Sequence, residues 1–207
     1  MTKLFYGPRT YAMGTHFLLG IIALVACVVP AGAAEPFPSR TVRIVVGFAP
    51  GGSSDTVARL LADKLAVRLD KPVIVENKPG AGGFVATSQV LREPADGYGL
   101  LLLASAHSVT AAMRASMPFD PVSDIEWLST AATYGMVFAV KPDSPYRTLP
   151  EMIAAAKGTP MTYYSVGFGT AHHLLGEWLN AASGAELTHV PYRGSAGALS
   201  DFLAGRV

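Results

Sequence analysis

The chain has 207 residues, 50% of them hydrophobic and 15% charged, with a formal net charge of +1. That length is enough for one large α/β domain or two small ones. One cysteine, Cys27, excludes an intrachain disulfide, and a charge so near zero argues against a nucleic-acid partner.

Leu18 to Val29 is apolar except for Gly20, with Lys3 and Arg9 ahead of it and Pro30-Ala31-Gly32-Ala33-Ala34 behind. The apolar run is shorter than the roughly 20 residues that span a bilayer. A basic start, a short apolar core and small residues after it describe an export signal over residues 1–33, with cleavage after Ala33 or Ala34. Leu24-Val25-Ala26-Cys27 also resembles a bacterial lipobox, which would make Cys27 a lipidated N-terminus and the stretch to Ser39 a tether. Cleavage removes Lys3 and Arg9 and no acidic residue, taking the charge from +1 to −1.

Val42 to Phe48 is apolar and rich in β-branched residues, the pattern of a buried strand. Ala49-Pro50-Gly51-Gly52 breaks it. Ser53, Ser54 and Asp55 are N-cap candidates for a helix carrying Val57, Leu60, Leu61, Leu65 and Leu69 on one face. Pro72–Glu76 predicts a second strand, Val85–Leu91 a helix, and Leu100–Ala104 a third strand. Three βα units in succession predict a parallel, doubly wound sheet. The run Gly80-Ala81-Gly82-Gly83 is not a dinucleotide fingerprint, because Asn77-Lys78-Pro79 separates it from its strand.

Pro118-Phe119-Asp120-Pro121 reads as a linker. Beyond it, strands are expected at Trp127–Thr133 and Met136–Val140, a helix at Pro150–Lys157, a strand at Met161–Ser165 and a helix from about Ala171 to Ala182. A strand at Glu186–Val190 and a helix at Ala198–Ala204 complete the series. No strand follows that last helix, so the chain is expected to be cut short.

Four loops share one construction: Phe48–Asp55, Ser105–Thr110, Ser165–Thr170 and Tyr192–Gly197. Each stands at the carboxyl end of an expected strand, the edge where open α/β sheets bind ligands. Glycine backbone and hydroxyls dominate them, which suits a small carboxylate held by N–H groups, hydroxyls and water. For a single loop, a tight strand-to-helix connection explains the glycines equally well. Close backbone approach to the ligand is expected at Gly51 and Gly52. Thr170 is expected either to cap the helix behind it or to meet the ligand, and His173 to pack within its own half. His107 is either a ligand contact or an exposed loop residue.

Catalytic patterns are missing. There is no P-loop, and Gly194-Ser195-Ala196-Gly197 is one residue short of a nucleophile elbow. His172 and His173 are adjacent, about 100° apart on a helix, and lack the spacing and glutamate of a zinc-protease motif. Neither a cofactor nor a metal is expected.

Taken in order, the motifs resemble one family. Pro38–Val46 with Pro50-Gly51-Gly52-Ser53-Ser54-Asp55 and Val57-Ala58-Arg59 is similar to the opening of the tripartite tricarboxylate transporter solute receptors (the Bug, or TctC-like, family). Val75–Gly83 and Asp96-Gly97-Tyr98 resemble its second and third motifs. Pro118–Pro121, Gly167–Thr170 with His173-Leu174 and Glu177, and His189–Gly194 complete the set, so the likeness runs from about Pro38 to the last residue.

The resemblance implies an α/β periplasmic binding protein of the second type with two lobes, each a doubly wound sheet with flanking helices. Residues 38–106 would form an incomplete first lobe and 107–207 the second, with the C-terminal return segment missing. It implies a periplasmic, monomeric receptor, not an enzyme, that closes on a small carboxylate and presents it to a two-subunit membrane permease. By that resemblance the ligand would meet Phe48, Ala49, Pro50, Gly51, Gly52, Asp55, Ser105, His107, Gly167, Gly169, Thr170, Tyr192, Gly194 and Ser195. His107 departs from the small residues common at its position and would narrow the pocket or read a second polar group. A sensory or non-functional fragment of such a receptor, and an exported hydrolase, are the alternative readings.

Overall fold

The computed structural model describes residues 35–207. The expected signal segment and Cys27 lie outside the described residues. Two parallel sheets carry the fold. The first contains β1 (Val42–Val46), β2 (Val73–Asn77) and β3 (Gly99–Leu102), in the order β2-β1-β3. Ile44 pairs with Val75 on one side and Leu100 on the other, so β1 is hydrogen-bonded on both edges. That central place explains its continuous apolar run: Val42, Ile44, Val45 and Val46 are all buried. The exception is Arg43, whose guanidinium reaches Glu76 and Glu93.

The helix α1 (Ser53–Leu69) follows β1 and packs Ala58, Ala62, Leu61 and Leu65 onto the sheet with Ile44, Val46 and Phe48. Small residues form its most buried line. Leu60, expected on the apolar face, is 61% exposed. Its start also differs from expectation: Gly52 is the N-cap residue and makes no side-chain cap. Asp55, in the first turn, reaches back to the N–H of Gly51 instead. A turn of 3-10 helix at Ala81–Gly83 leads into α2 (Phe84–Val90). After β3 the chain enters α3 (Ala106–Met113) at once, so most of the expected Ser105–Thr110 loop is helix.

From Arg114 to Thr148 the chain has no helix or strand. The strands expected at Trp127–Thr133 and Met136–Val140 do not form. Their composition suits β structure, but no described segment pairs with them, and an extended run without a ladder is not a strand. Trp127, Leu128, Tyr134, Val137, Phe138 and Val140 are consequently exposed.

The second sheet is β4 (Met161–Ser165) beside β5 (Leu187–Pro191), parallel, with Tyr163 opposite His189. It is wrapped by α4 (Leu149–Ala156), α5 (Ala171–Ser183) and α6 (Ser195–Leu203). In α4 a complete capping box, Thr148 with Glu151, and Pro150 in the first turn fix the start. Its core is Ala156, Leu179, Ala185 and Leu187 with Met152, Ile153, Met161 and Tyr163 around them. Gly176 lies against the Tyr163 ring so closely that a Cβ there would collide with it. The glycine lets α5 lie down on β4. Among the described residues no helix is long and apolar enough to cross a membrane.

Candidate functional site

The carboxyl ends of β1, β3, β4 and β5 each deliver the chain into the N-terminus of a helix: α1, α3, α5 and α6. Those four N-termini meet around one cavity. Its walls are Phe48, Gly52, Ser53 and Ser54 from the first connection, and Ala104, Ser105 and Ala106 from the second. Val166, Thr170 and His172 come from the third, Gly194 and Ser195 from the fourth, and Tyr134 from the irregular segment. The cavity offers about 20 Å3 to the centre of a water molecule, room for about one water or a group of similar size.

Its chemistry follows from its walls. Helix N-termini present unpaired N–H groups and the positive end of the helix dipole. Hydroxyls of Ser53, Ser54, Ser105, Tyr134 and Ser195 join them, and no lysine or arginine lines the cavity. Burial pushes the His172 imidazole below its ordinary pKa, which favours its neutral form. The arrangement therefore suits an anion bound by dipoles and hydrogen-bond donors instead of by a fixed countercharge.

The first connection is held from behind by Asp55, which is 4% exposed. Its carboxylate accepts from Gly51 N–H at 2.9 Å, from Arg59 Nε and Nη2 at 2.9 and 3.0 Å, and from Asn77 Nδ2 at 2.9 Å. Arg59 above all, aided by the Gly51 and Asn77 donors, lowers the Asp55 pKa to about 2. Asn77 Nδ2 also donates to the Phe48 carbonyl at 3.1 Å. Gly51 turns the loop with φ of +80°, a conformation that favours glycine. Gly52, at φ −87°, is ordinary extended backbone. An added Cβ at Gly52 would sit 3.6 Å from Ser195 Oγ, so this glycine keeps open the space between the first and fourth connections.

Across the cavity the two sheets' loops touch. The Ala49 N–H donates to the Arg193 carbonyl at 3.1 Å, and Val166 packs on the first sheet's core. Gly194 stands so near Ala49 that a Cβ there would lie 3.1 Å from the Ala49 Cβ.

In the third connection Thr170 is 2% exposed. Its hydroxyl donates to Gly167 O at 2.8 Å and accepts from His173 N at 3.4 Å, the geometry of an N-cap. His173 accepts from Gly169 N–H through Nδ1, stacks on His189, and has Nε2 3.8 Å from Glu177. Ser165 Oγ lies 2.5 Å from His189 Nε2, a serine–histidine pair. Yet Ser165 is fully buried and His189 Nδ1 has no partner, so the pair lacks both substrate access and an orienting acid. Among the described residues no group of three potential metal ligands comes together.

Of the residues named from sequence, Phe48, Gly52, Ser105, Thr170, Gly194 and Ser195 line the cavity. Ala49, Pro50, Gly51, Asp55, Gly167, Gly169 and Tyr192 shape the connections without forming its wall. Tyr192 donates its hydroxyl to Asp201 at 2.7 Å. His107 faces away: its Nε2 is 2.9 Å from the Pro121 carbonyl and its ring stands edge-on to Trp127. Sequence reasoning missed Ser53 and Ser54 as wall residues, taking them for caps, and missed His172 and Tyr134. Nothing in the irregular segment marks Tyr134, whereas His172 lies in the first turn of a helix whose N-terminus stands at the carboxyl edge of the sheet, a placement that could have singled it out.

Parallel sheets with helix N-termini converging on a cleft are common to open α/β folds, and the solved neighbours make this one a periplasmic binding protein fold. A solved neighbour described as the periplasmic binding protein BugD superposes with a TM-score of 0.71 at 32% identity, over 83% of this chain and 58% of its own. A Rhodopseudomonas palustris protein solved with adipate gives a TM-score of 0.69 at 30% identity. MatC from the same organism, solved with malate, gives 0.65 at 28%. These two overlap 83% of this chain and 58% and 59% of theirs.

The family model described as the tripartite tricarboxylate transporter family receptor matches residues 57–207, and the chain belongs to that family. Among curated relatives, the UPF0065 protein in the gbd 5′ region of Cupriavidus necator is 38% identical over 93% of this chain and 61% of its own length. BugT of Bordetella pertussis is 33% identical over 92% and 60%. The chain thus spans little more than half the length of the relatives it matches.

Proposed function

We propose that the chain is a periplasmic receptor that captures a small carboxylate in the cleft where its four helix N-termini meet. In this reading residues 38–106 and 107–207 act as two lobes that close on the ligand. The loaded receptor then presents the acid to a two-subunit membrane permease, working as a monomer. The observation that carries it is the cavity wall itself, with donors from four separate connections and no fixed cation. The acids bound by two structural neighbours, adipate and malate, support the ligand class. The cavity is small because the loops already touch through Ala49 and Arg193; it holds about one water-sized group, such as one carboxylate oxygen, and the rest of the acid enters as the loops separate.

A ligand that binds only the folded form raises the melting temperature with concentration. Malate, adipate and citrate, each set beside its amide, provide the test. Stabilisation by at least one acid and by none of the amides is the expected result, and equal effects of acid and amide would refute recognition of the carboxylate.

A further inference from the structure

A second cavity, of about 330 Å3, lies away from the cleft and is lined by Ser88, Leu91, Arg92, Pro118, Phe119 and Asp124. That volume is within the range of small-molecule sites. Its two charged groups keep hydrogen-bonding capacity in reserve. No hydrogen bond or ion pair engages the Arg92 guanidinium among the described residues. Asp124 commits one oxygen, Oδ2, to the N–H of Asp120 at 2.7 Å. Arg92 and Asp124 thus line one cavity without pairing with each other.

The wall that carries Asp124 is firmly built. Phe119 stacks on Phe84 with ring centroids 5.6 Å apart, and Arg114 covers the Phe84 ring at 3.9 Å. The Asp120 carboxylate accepts from Val122 and Ser123 N–H, both at 2.8 Å. His107 secures the Pro121 carbonyl, and Trp127 Nε1 donates to Val122 O at 3.1 Å. This ring, outside the cleft, is where the unusual His107 spends its contacts.

The geometry points to a second binding site, for a small apolar α-amino acid. Its carboxylate meets Arg92, its ammonium meets Asp124, and its side chain lies against Leu91, Pro118 and Phe119. A purely anionic acid would leave Asp124 facing a like charge, and a simple amine would do the same to Arg92. Only a molecule bearing both charges completes both ends.

Calorimetric titration of the full chain with leucine, isovalerate and isoamylamine tests this. Leucine should bind, and both single-charge analogues should bind at least about tenfold more weakly. Arg92→Gln and Asp124→Asn should each weaken leucine about tenfold or more. Arg92 is exposed, so its variant keeps the fold, which circular dichroism verifies. Leucine binding should survive Gly52→Val, which fills the cleft; loss there would place leucine in the cleft and overturn the second site. No binding of leucine, unchanged affinity in both charge variants, or isovalerate binding as tightly as leucine would each also overturn it.

Discussion

Asp55 couples the start of α1 to the loop that precedes it, and its ionisation makes that coupling measurable. Its pKa falls from 3.8 to about 2 in the fold. A depressed carboxylate stabilises the folded state above its unfolded pKa, and that contribution is lost as pH falls from about 3.8 towards about 2. The shift corresponds to about 2 kcal/mol. Asp55→Asn should therefore flatten the acid limb of a stability-against-pH curve, and it should loosen the Gly51 turn so that carboxylate affinity falls as well. A variant with the wild-type acid limb would remove Asp55 from this role.

Thr170→Ala tests a neighbouring residue. Its hydroxyl donor is used on Gly167 O, so the loss falls on the cap, about 0.5–2 kcal/mol of stability, with less than a tenfold loss of affinity. An affinity loss well beyond tenfold with no change in melting temperature would instead make Thr170 a direct ligand contact.

At the scale of elements, the packing of α5 on β4 depends on Gly176. Gly176→Ala forces a methyl into the Tyr163 ring, and overpacking of this kind costs about 1–3 kcal/mol. Chemical denaturation would measure it, and an unchanged midpoint would mean that Tyr163 has room to move. The same two elements and β5 hold a pH-sensitive stack. Burial first, and the positive charge His173 can carry second, lower the His189 pKa, while Glu177 opposes them. His189 also faces Tyr163, Phe168 and Ser165. A histidine kept neutral in the fold contributes stability above about pH 6.5, lost as pH falls below it. Thermal melts between about pH 7 and 5 should show that decline, and His189→Gln should reduce it. His172, lowered by burial, adds a slope of the same sign, so the variant should lessen the decline without abolishing it. An unaltered slope would exclude His189 as a source.

The strands β1, β4 and β5 were legible because stretches rich in β-branched or aromatic residues end at glycine- or proline-containing turns, and each has its pairing strand in the described chain. Trp127–Val140 misled for the converse reason, since β-propensity describes a side chain's fit to a neighbouring strand and no neighbour pairs with it. The α1 cap misled because three adjacent residues all carry capping oxygens, whereas the helix starts from Gly52 and Asp55 turns its carboxylate to Gly51, Arg59 and the distant Asn77. Residues whose place depends on such long-range contacts, Tyr134 among them, leave no local mark.

At the scale of the molecule, the family and the α/β fold were readable from motif order, because most of the motifs are a strand end followed by a helix start. What the sequence did not disclose is how closely the connections approach one another. The Ala49–Arg193 hydrogen bond and the narrow gap between Gly52 and Ser195 leave a cavity for about one water-sized group. The account's central claim is that this cleft binds an acid through backbone and hydroxyl donors.

Gly52→Val addresses that claim most directly. Gly52 has extended backbone at φ −87°, so valine brings little strain, while its methyl groups fill the gap facing Ser195. The decisive measurement is calorimetric titration of wild type and Gly52→Val with whichever of malate, adipate and citrate stabilises the wild-type chain. The account predicts saturable binding to wild type and none to a variant that keeps the wild-type circular dichroism spectrum; equal affinity in the two proteins would contradict it.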